Sequence, residues 1–252
     1  MRCFNKIFII GLPRCATVSL CDAVGLLGIP TAHLGRIYGE ATPANHHAHH
    51  HPQRLTGVFR QISGGDYDLN ILRECRGMAD YPACCPSVFP QLDRQYPGSL
   101  FINVRRDANL QRWLQSIETQ FVGLQLLKQG LAATDDERSF MQVMLAFRTL
   151  TFGQSEFDPD VYLAAYHAYQ RRVTEMFAAR PADLLQFDDL GELATSGFER
   201  LCNFLDCPQP ERTFPNCNAH SLAPCSAFMQ ALADGKVRSR TGILPRDPAA
   251  AV

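Results

Sequence analysis

The sequence predicts an α/β protein with a central, mainly parallel sheet flanked by helices. Three observations carry that expectation. The apolar run Ile7-Phe8-Ile9-Ile10 is short, β-branched and closed by Gly11, and helical spacing of Leu20, Ala23, Val24 and Leu27 follows it. A second buried run, Leu100 to Val104, follows the Pro97-Gly98 turn and ends in Arg105-Arg106-Asp107. At 252 residues, with 46% hydrophobic and 19% charged residues, the chain suits one sizeable core.

The first 35 residues read as strand, helix and a second short strand near Ile29 to Leu34. Residues 36–57, rich in Gly, Pro, Asn and histidine, are expected to form a mobile loop. Within it His46, His47, His49, His50 and His51 lack nearby cysteine or carboxylate ligands at metal spacing, so a solvated loop is expected and no metal. Met78 to Pro82 reads as the end of a short strand, and Val88 to Tyr96 as a short helix burying Phe89 and Leu92. Three helices follow, over Ala108–Lys128, Arg138–Phe152 and Tyr162–Ala179. The last carries Val161, Ala165, Tyr169, Val173 and Phe177 four apart, as one apolar stripe. Leu184 to Phe187 reads as a strand, and Phe198, Leu201, Cys202 and Leu205 mark the final helix. Periodicity fades after Cys207, which places the folded domain at residues 1–218 and a partly flexible extension at 219–252.

Composition excludes several functions. A net charge of −1 argues against a general nucleic-acid surface. No apolar run approaches a membrane span, and Pro13-Arg14 interrupts the only signal-like segment, so a cytoplasmic protein is expected. The ten cysteines contain no Cys-x-x-Cys pair and read as reduced, buried thiols. Cys15 stands apart: a thiol beside a helix N-terminus has its pKa lowered, although a small loop filler explains it better.

The stretch from Gly11 to Leu20 is where chemistry is expected. A loop that runs into a helix presents unpaired N–H groups and a positive dipole end, a ready anion site. Arg14 can reach the same anion. A nucleoside-triphosphate loop needs Gly-Lys-Ser/Thr, and here the turn ends Ala16-Thr17-Val18 without lysine. Ligands of open α/β sheets bind at the carboxyl ends of strands, and two such ends, after Ile10 and after Val104, carry arginine. One shared anionic ligand follows from that agreement.

Pro13, Arg14, Thr17, Ser19 and Leu20 resemble the first signature of sulfotransferases that use PAPS, the phosphoadenosine phosphosulfate donor. Asp80-Tyr81-Pro82, Leu92-Asp93-Arg94-Gln95-Tyr96-Pro97-Gly98, Arg106-Asp107 with Trp113 and Ser116, and Phe214-Pro215-Asn216 resemble further segments of that family, in order. The resemblance implies a P-loop-like fold and transfer of a sulfuryl group from PAPS to a hydroxyl, less readily an amine, of a small-molecule or saccharide acceptor. It implies that Arg14 and the N–H groups of Cys15, Ala16, Thr17, Val18 and Ser19 hold the 5′-phosphosulfate, and that Arg106 and Ser116 hold the 3′-phosphate. Arg14 would act electrostatically on the leaving oxygen. Asp80 and His33 are the candidate general bases, Asp80 slightly ahead; a turn-capping carboxylate and a strand-end surface histidine explain them otherwise.

The chain departs from the family in three places. Ala16 replaces a glycine, Val18 replaces a frequent threonine, and the Arg106–Ser116 spacing is two residues longer, so Arg105 could share the 3′-phosphate role. These departures keep open a degenerate, non-catalytic nucleotide-binding or interaction protein. A small-molecule or nucleotide kinase is the third reading. Oligomeric state leaves no trace in the sequence.

Overall fold

The structure is a computed structural model that describes residues 1–39, 50–126 and 135–217. Six strands form one sheet in the order β3-β2-β4-β1-β5-β6, with β1 (Ile7–Ile9), β2 (Thr31–His33), β3 (Arg36–Tyr38), β4 (Gly77–Ala79), β5 (Leu100–Val104) and β6 (Leu184–Phe187). All neighbours run parallel except β2 and β3. Buried on both faces, β1 is a continuous apolar run and β5 is apolar except for Asn103, whose amide donates to Gln170 Oε1 at 2.8 Å. The chain leaves β1 toward β2 and later crosses to β5 on the other side. This places the topological switch at β1, the position where such sheets bind ligands. The fold class is therefore the expected one: a three-layer, P-loop-like α/β arrangement.

Helices α1 (Thr17–Leu26), α2 (Pro52–Ser63), α3 (Ile71–Glu74), α4 (Phe89–Gln95), α5 (Leu110–Leu126), α6 (Asp135–Phe152), α7 (Pro159–Phe177) and α8 (Gly191–Leu205) complete it. In α7, Asp158 caps the first turn by accepting from the N–H groups of Asp160 and Val161, and Pro159 occupies the N1 position it suits. β4 can sit between β1 and β2 only because residue 77 is glycine. A Cβ there would lie 2.5 Å from Ile7 Cγ2 and 2.8 Å from Thr31 Oγ1.

Two expectations change. Residues 36–57 are not one mobile loop. Leu34 (φ 46°) and Gly35 (φ 83°) make a two-residue hairpin turn that returns β3 along β2, pairing His33 with Arg36 and Thr31 with Tyr38. Pro52 then starts α2, capped by the His51 ring, which accepts from the Arg54 N–H, and buries Leu55, Val58 and Ile62. His50 stacks on Phe140 at 4.3 Å. His46, His47 and His49, and the expected extension at 219–252, lie outside the described residues. The stripe on α7 is also shifted: Val161 is 37% exposed, and the buried face runs through Tyr162, Tyr166, Tyr169, Val173 and Phe177. Helical rotation favours the mixed i, i+4, i+3 spacing of this set over a strict repeat of four.

Candidate functional site

The loop after β1 is held at three points by backbone carbonyls. The Tyr169 hydroxyl donates to Ile10 O at 2.6 Å, the Trp113 indole N–H to Pro13 O at 3.0 Å, and the Cys15 N–H to Leu12 O at 3.1 Å. Two residues, Arg14 (φ 67°) and Ala16 (φ 54°), adopt left-handed backbone to make the turn. Ala16 caps α1 without a side-chain hydrogen bond. The N–H groups of Thr17, Val18 and Ser19 therefore have no hydrogen-bond partner among the described residues, and the positive end of the α1 dipole is uncompensated there. The Cys15 N–H, by contrast, is engaged within the turn.

The two arginine-bearing strand ends meet at this loop. Arg14 Nε donates to Ser116 Oγ at 2.8 Å, and Arg106 Nη1 donates to Arg14 O at 3.1 Å. A single turn of 3₁₀ helix, Asp107–Asn109, takes up the longer spacing before α5, so Ser116 still reaches the loop. Tyr166 fixes the strand end from α7: its oxygen accepts from the Arg106 N–H at 2.6 Å and its hydroxyl donates to Asp107 Oδ1 at 2.8 Å. Arg105 pairs with Asp107 and donates its N–H to Phe187 O. Burial lowers the pKa of the Arg14 guanidinium; Asp80 raises it and Arg106 lowers it again. An arginine stays charged under such pressure, so the site holds two close cations next to a helix N-terminus. That arrangement favours an anion with more than one charged group.

The acid–base candidates lie at the ends of β4 and β2. Thr17 Oγ1 donates to Asp80 Oδ2 at 2.7 Å, and the Tyr81 N–H donates to Asp80 Oδ1 at 2.8 Å. His33 Nε2 lies 3.5 Å from Asp80 Oδ2 and 3.3 Å from Thr17 Oγ1. Because Thr17 gives its own hydrogen to Asp80, both oxygens face Nε2 as acceptors. Nε2 then carries a ring hydrogen toward them. Burial pushes the Asp80 pKa up. The hydrogen bond and charge of His33, the Thr17 hydroxyl and the Tyr81 N–H outweigh burial and hold it below the ordinary carboxylate range.

The structure thus brings Arg14, Arg106 and Ser116 together, and beside them Thr17, Asp80 and His33, with Asp80 near enough to raise the Arg14 pKa. Cys15 does not fit the expectation of a reactive thiol. It is fully buried, and burial pushes its pKa up to about 12 despite Arg106 and Arg14. Sequence reasoning missed the anchoring roles of Tyr166 and of Tyr169, the latter read only as part of the apolar stripe. The available signal was chemical: a buried phenol hydroxyl usually finds a partner.

Comparison with known proteins shows the family. A family model described as a sulfotransferase domain matches residues 6–222. A curated protein, Ava biosynthesis cluster protein M of Aspergillus versicolor, is 26% identical over 219 residues, 84% of this chain and 80% of that protein. Among solved structures, a sulfotransferase from Alicyclobacillus acidocaldarius aligns with a TM-score of 0.46 and 14% identity over 93% of each chain. The sulfotransferase domain from the curacin biosynthetic pathway aligns with a TM-score of 0.42 and 15% identity, over 99% of this chain and 96% of that one. With the family match running through nearly the whole described chain, this protein belongs to the sulfotransferase domain family.

Proposed function

We propose that the protein transfers a sulfuryl group from PAPS to a hydroxyl group on a small-molecule acceptor, with amines and saccharides as the less favoured acceptors. The observation that carries this reading is the convergence of Arg14, Arg106 and Ser116 on the unpaired N-terminus of α1, in a loop without the lysine that nucleoside triphosphates require. The name of the curated relative places that protein in a biosynthesis cluster, which favours a small-molecule acceptor here.

PAPS would supply a sulfuryl group on a phosphate leaving group, and the protein would supply alignment and charge. The N–H groups of Thr17, Val18 and Ser19, with Arg14, would hold the 5′-phosphosulfate. Arg106 and Ser116 would hold the 3′-phosphate. Arg14 would stabilise the charge that gathers on the leaving oxygen, as an electrostatic partner and not a proton donor. His33 is the better general base. Asp80 is weakly basic and its oxygens are committed to Thr17, Tyr81 and His33. Its role would be to orient the His33 ring.

The test is calorimetric titration with PAP, the desulfated product, against AMP and ATP, followed by transfer assays with PAPS. Tight PAP binding with weak AMP binding is expected, together with loss of transfer in Arg14→Ala and weaker PAP binding in Arg106→Ala. Equal binding of PAP and AMP would overturn the donor assignment, and ATP binding with indifference to PAP would favour a kinase. Loss of PAP affinity on Arg105→Ala but not Arg106→Ala would move the 3′-phosphate role to Arg105.

A further inference from the structure

The segment Phe214 to Cys217 crosses from α8 to the first turn of α1 and is fastened at both ends. Phe214 packs against Phe198 at 5.1 Å and fills the notch left by Gly197, where a Cβ would lie 2.5 Å from its ring. At the other end the Cys217 N–H donates to Ser19 Oγ at 3.1 Å, and Cys217 Sγ donates to Asp22 Oδ2 at 3.5 Å. Ser19 and Asp22 are one turn apart on the same face of α1. The strap therefore touches the helix turn whose unpaired N–H groups define the anion site.

The direction of the first bond matters. A serine hydroxyl has one hydrogen and two acceptor positions. With Ser19 Oγ accepting from the backbone of Cys217, its own hydrogen is left to donate elsewhere. Burial and Asp22 push the Cys217 thiol up to about 11, and it donates to Asp22 Oδ2.

We propose that Cys217 is a positioning residue of the donor site: through its backbone N–H it orients the Ser19 hydroxyl as a hydrogen-bond donor to the 5′-phosphosulfate. The claim deepens the PAPS reading and rests on it. It makes the C-terminal strap part of the donor site through one backbone bond, whichever residue type occupies position 217, provided it has an N–H.

That last condition supplies the experiment. PAP affinity is measured by calorimetry in the full chain for wild type, Cys217→Pro, Cys217→Ala, Ser19→Ala and Cys217→Pro with Ser19→Ala. Proline removes the N–H, whereas alanine keeps it and removes only the thiol. The expected result is a loss of roughly five- to tenfold in Cys217→Pro, wild-type affinity in Cys217→Ala, and no further loss when Cys217→Pro is added to Ser19→Ala. Phe214→Ala, which frees the other end of the strap, is expected to weaken PAP in the same way and serves if the proline variant does not fold. Unchanged PAP affinity in Cys217→Pro and Phe214→Ala would overturn the proposal while leaving the donor reading intact. So would losses that add fully to that of Ser19→Ala. Absence of PAP binding in wild type would overturn both.

Discussion

Replacing Ala16 by glycine is expected to stabilise the protein without harming the anion site. Ala16 holds φ 54° and ψ 29°, left-handed backbone at the cap of α1. A Cβ in that conformation costs about 1–2 kcal/mol. Glycine returns about 0.5–1 kcal/mol of this through its greater backbone entropy in the unfolded chain. The partly buried methyl forfeits roughly 0.4 kcal/mol more, about half the value of a fully buried carbon. The balance is a gain of about 0.5 kcal/mol, which for a chain of this size raises Tm by about 1–2 °C. Ala16→Val is the opposing control. A β-branched residue at positive φ is a genuine outlier, and a further cost of about 1–2 kcal/mol should lower Tm by roughly 3–6 °C. Thermal unfolding of the three proteins side by side, followed by circular dichroism, reads both shifts. A glycine variant that melts below wild type, or a valine variant that matches it, would refute the reasoning that backbone strain at this cap outweighs methyl burial.

Three further outcomes follow from the packing and the electrostatics. Gly77→Ala places a Cβ 2.7 Å from Ile7 O in the middle of the sheet and should cost at least about 2 kcal/mol in urea unfolding; an unchanged midpoint would contradict the strand spacing. Cys15, with its pKa at about 12, should resist iodoacetamide in the native protein at pH 8, as read by mass spectrometry; modification as fast as that of exposed Cys3 would contradict its burial. Asp80→Asn should cost about 1.5–3 kcal/mol at pH 7, because hydrogen bonds to a charged group are lost. The Asp80 pKa is depressed on folding, so its contribution is complete above the ordinary carboxylate range near pH 4 and is lost as the pH falls through the lower folded value. The gap between the two proteins should close only in acid, and a gap that widened toward low pH would show the sign to be wrong.

What could be read from the sequence was what is local in it. The apolar runs of β1 and β5 announce buried parallel strands because both faces must be covered, and the arginines after them announce a strand-end site. The α2 helix was missed, its start being read as part of a loop. Leu55, Val58 and Ile62 keep helical spacing after Pro52, but the glycine and histidine content around them obscures it. The β2–β3 hairpin was not legible. Its turn uses Leu34 at φ 46°, a residue that carries no turn signal and is held there by the pairing on either side. In the site, residue identities were legible and contacts were not. Tyr169 reaches Ile10 across 159 residues of chain, and Cys217 reaches Ser19 across 198. No spacing rule spans such separations, and only the folded packing joins these residues.

The same topology explains why the site has two chemically distinct halves. The ends of β1 and β5 carry Arg14 and Arg106; the ends of β4 and β2 carry Asp80 and His33. Were the cations and the carboxylate free to pair fully, the positive charge would be neutralised from within. Thr17 touches both halves. Its N–H has no partner among the described residues and lies with the anion-binding turn, while its hydroxyl is committed to Asp80 at 2.7 Å. With Tyr81 and His33 also bound to it, Asp80 is satisfied without Arg14, and the pair of arginines keeps its demand for an external anion. Thr17 therefore ties the start of α1 both to the turn with the unpaired N–H groups and to the Asp80–His33 pair.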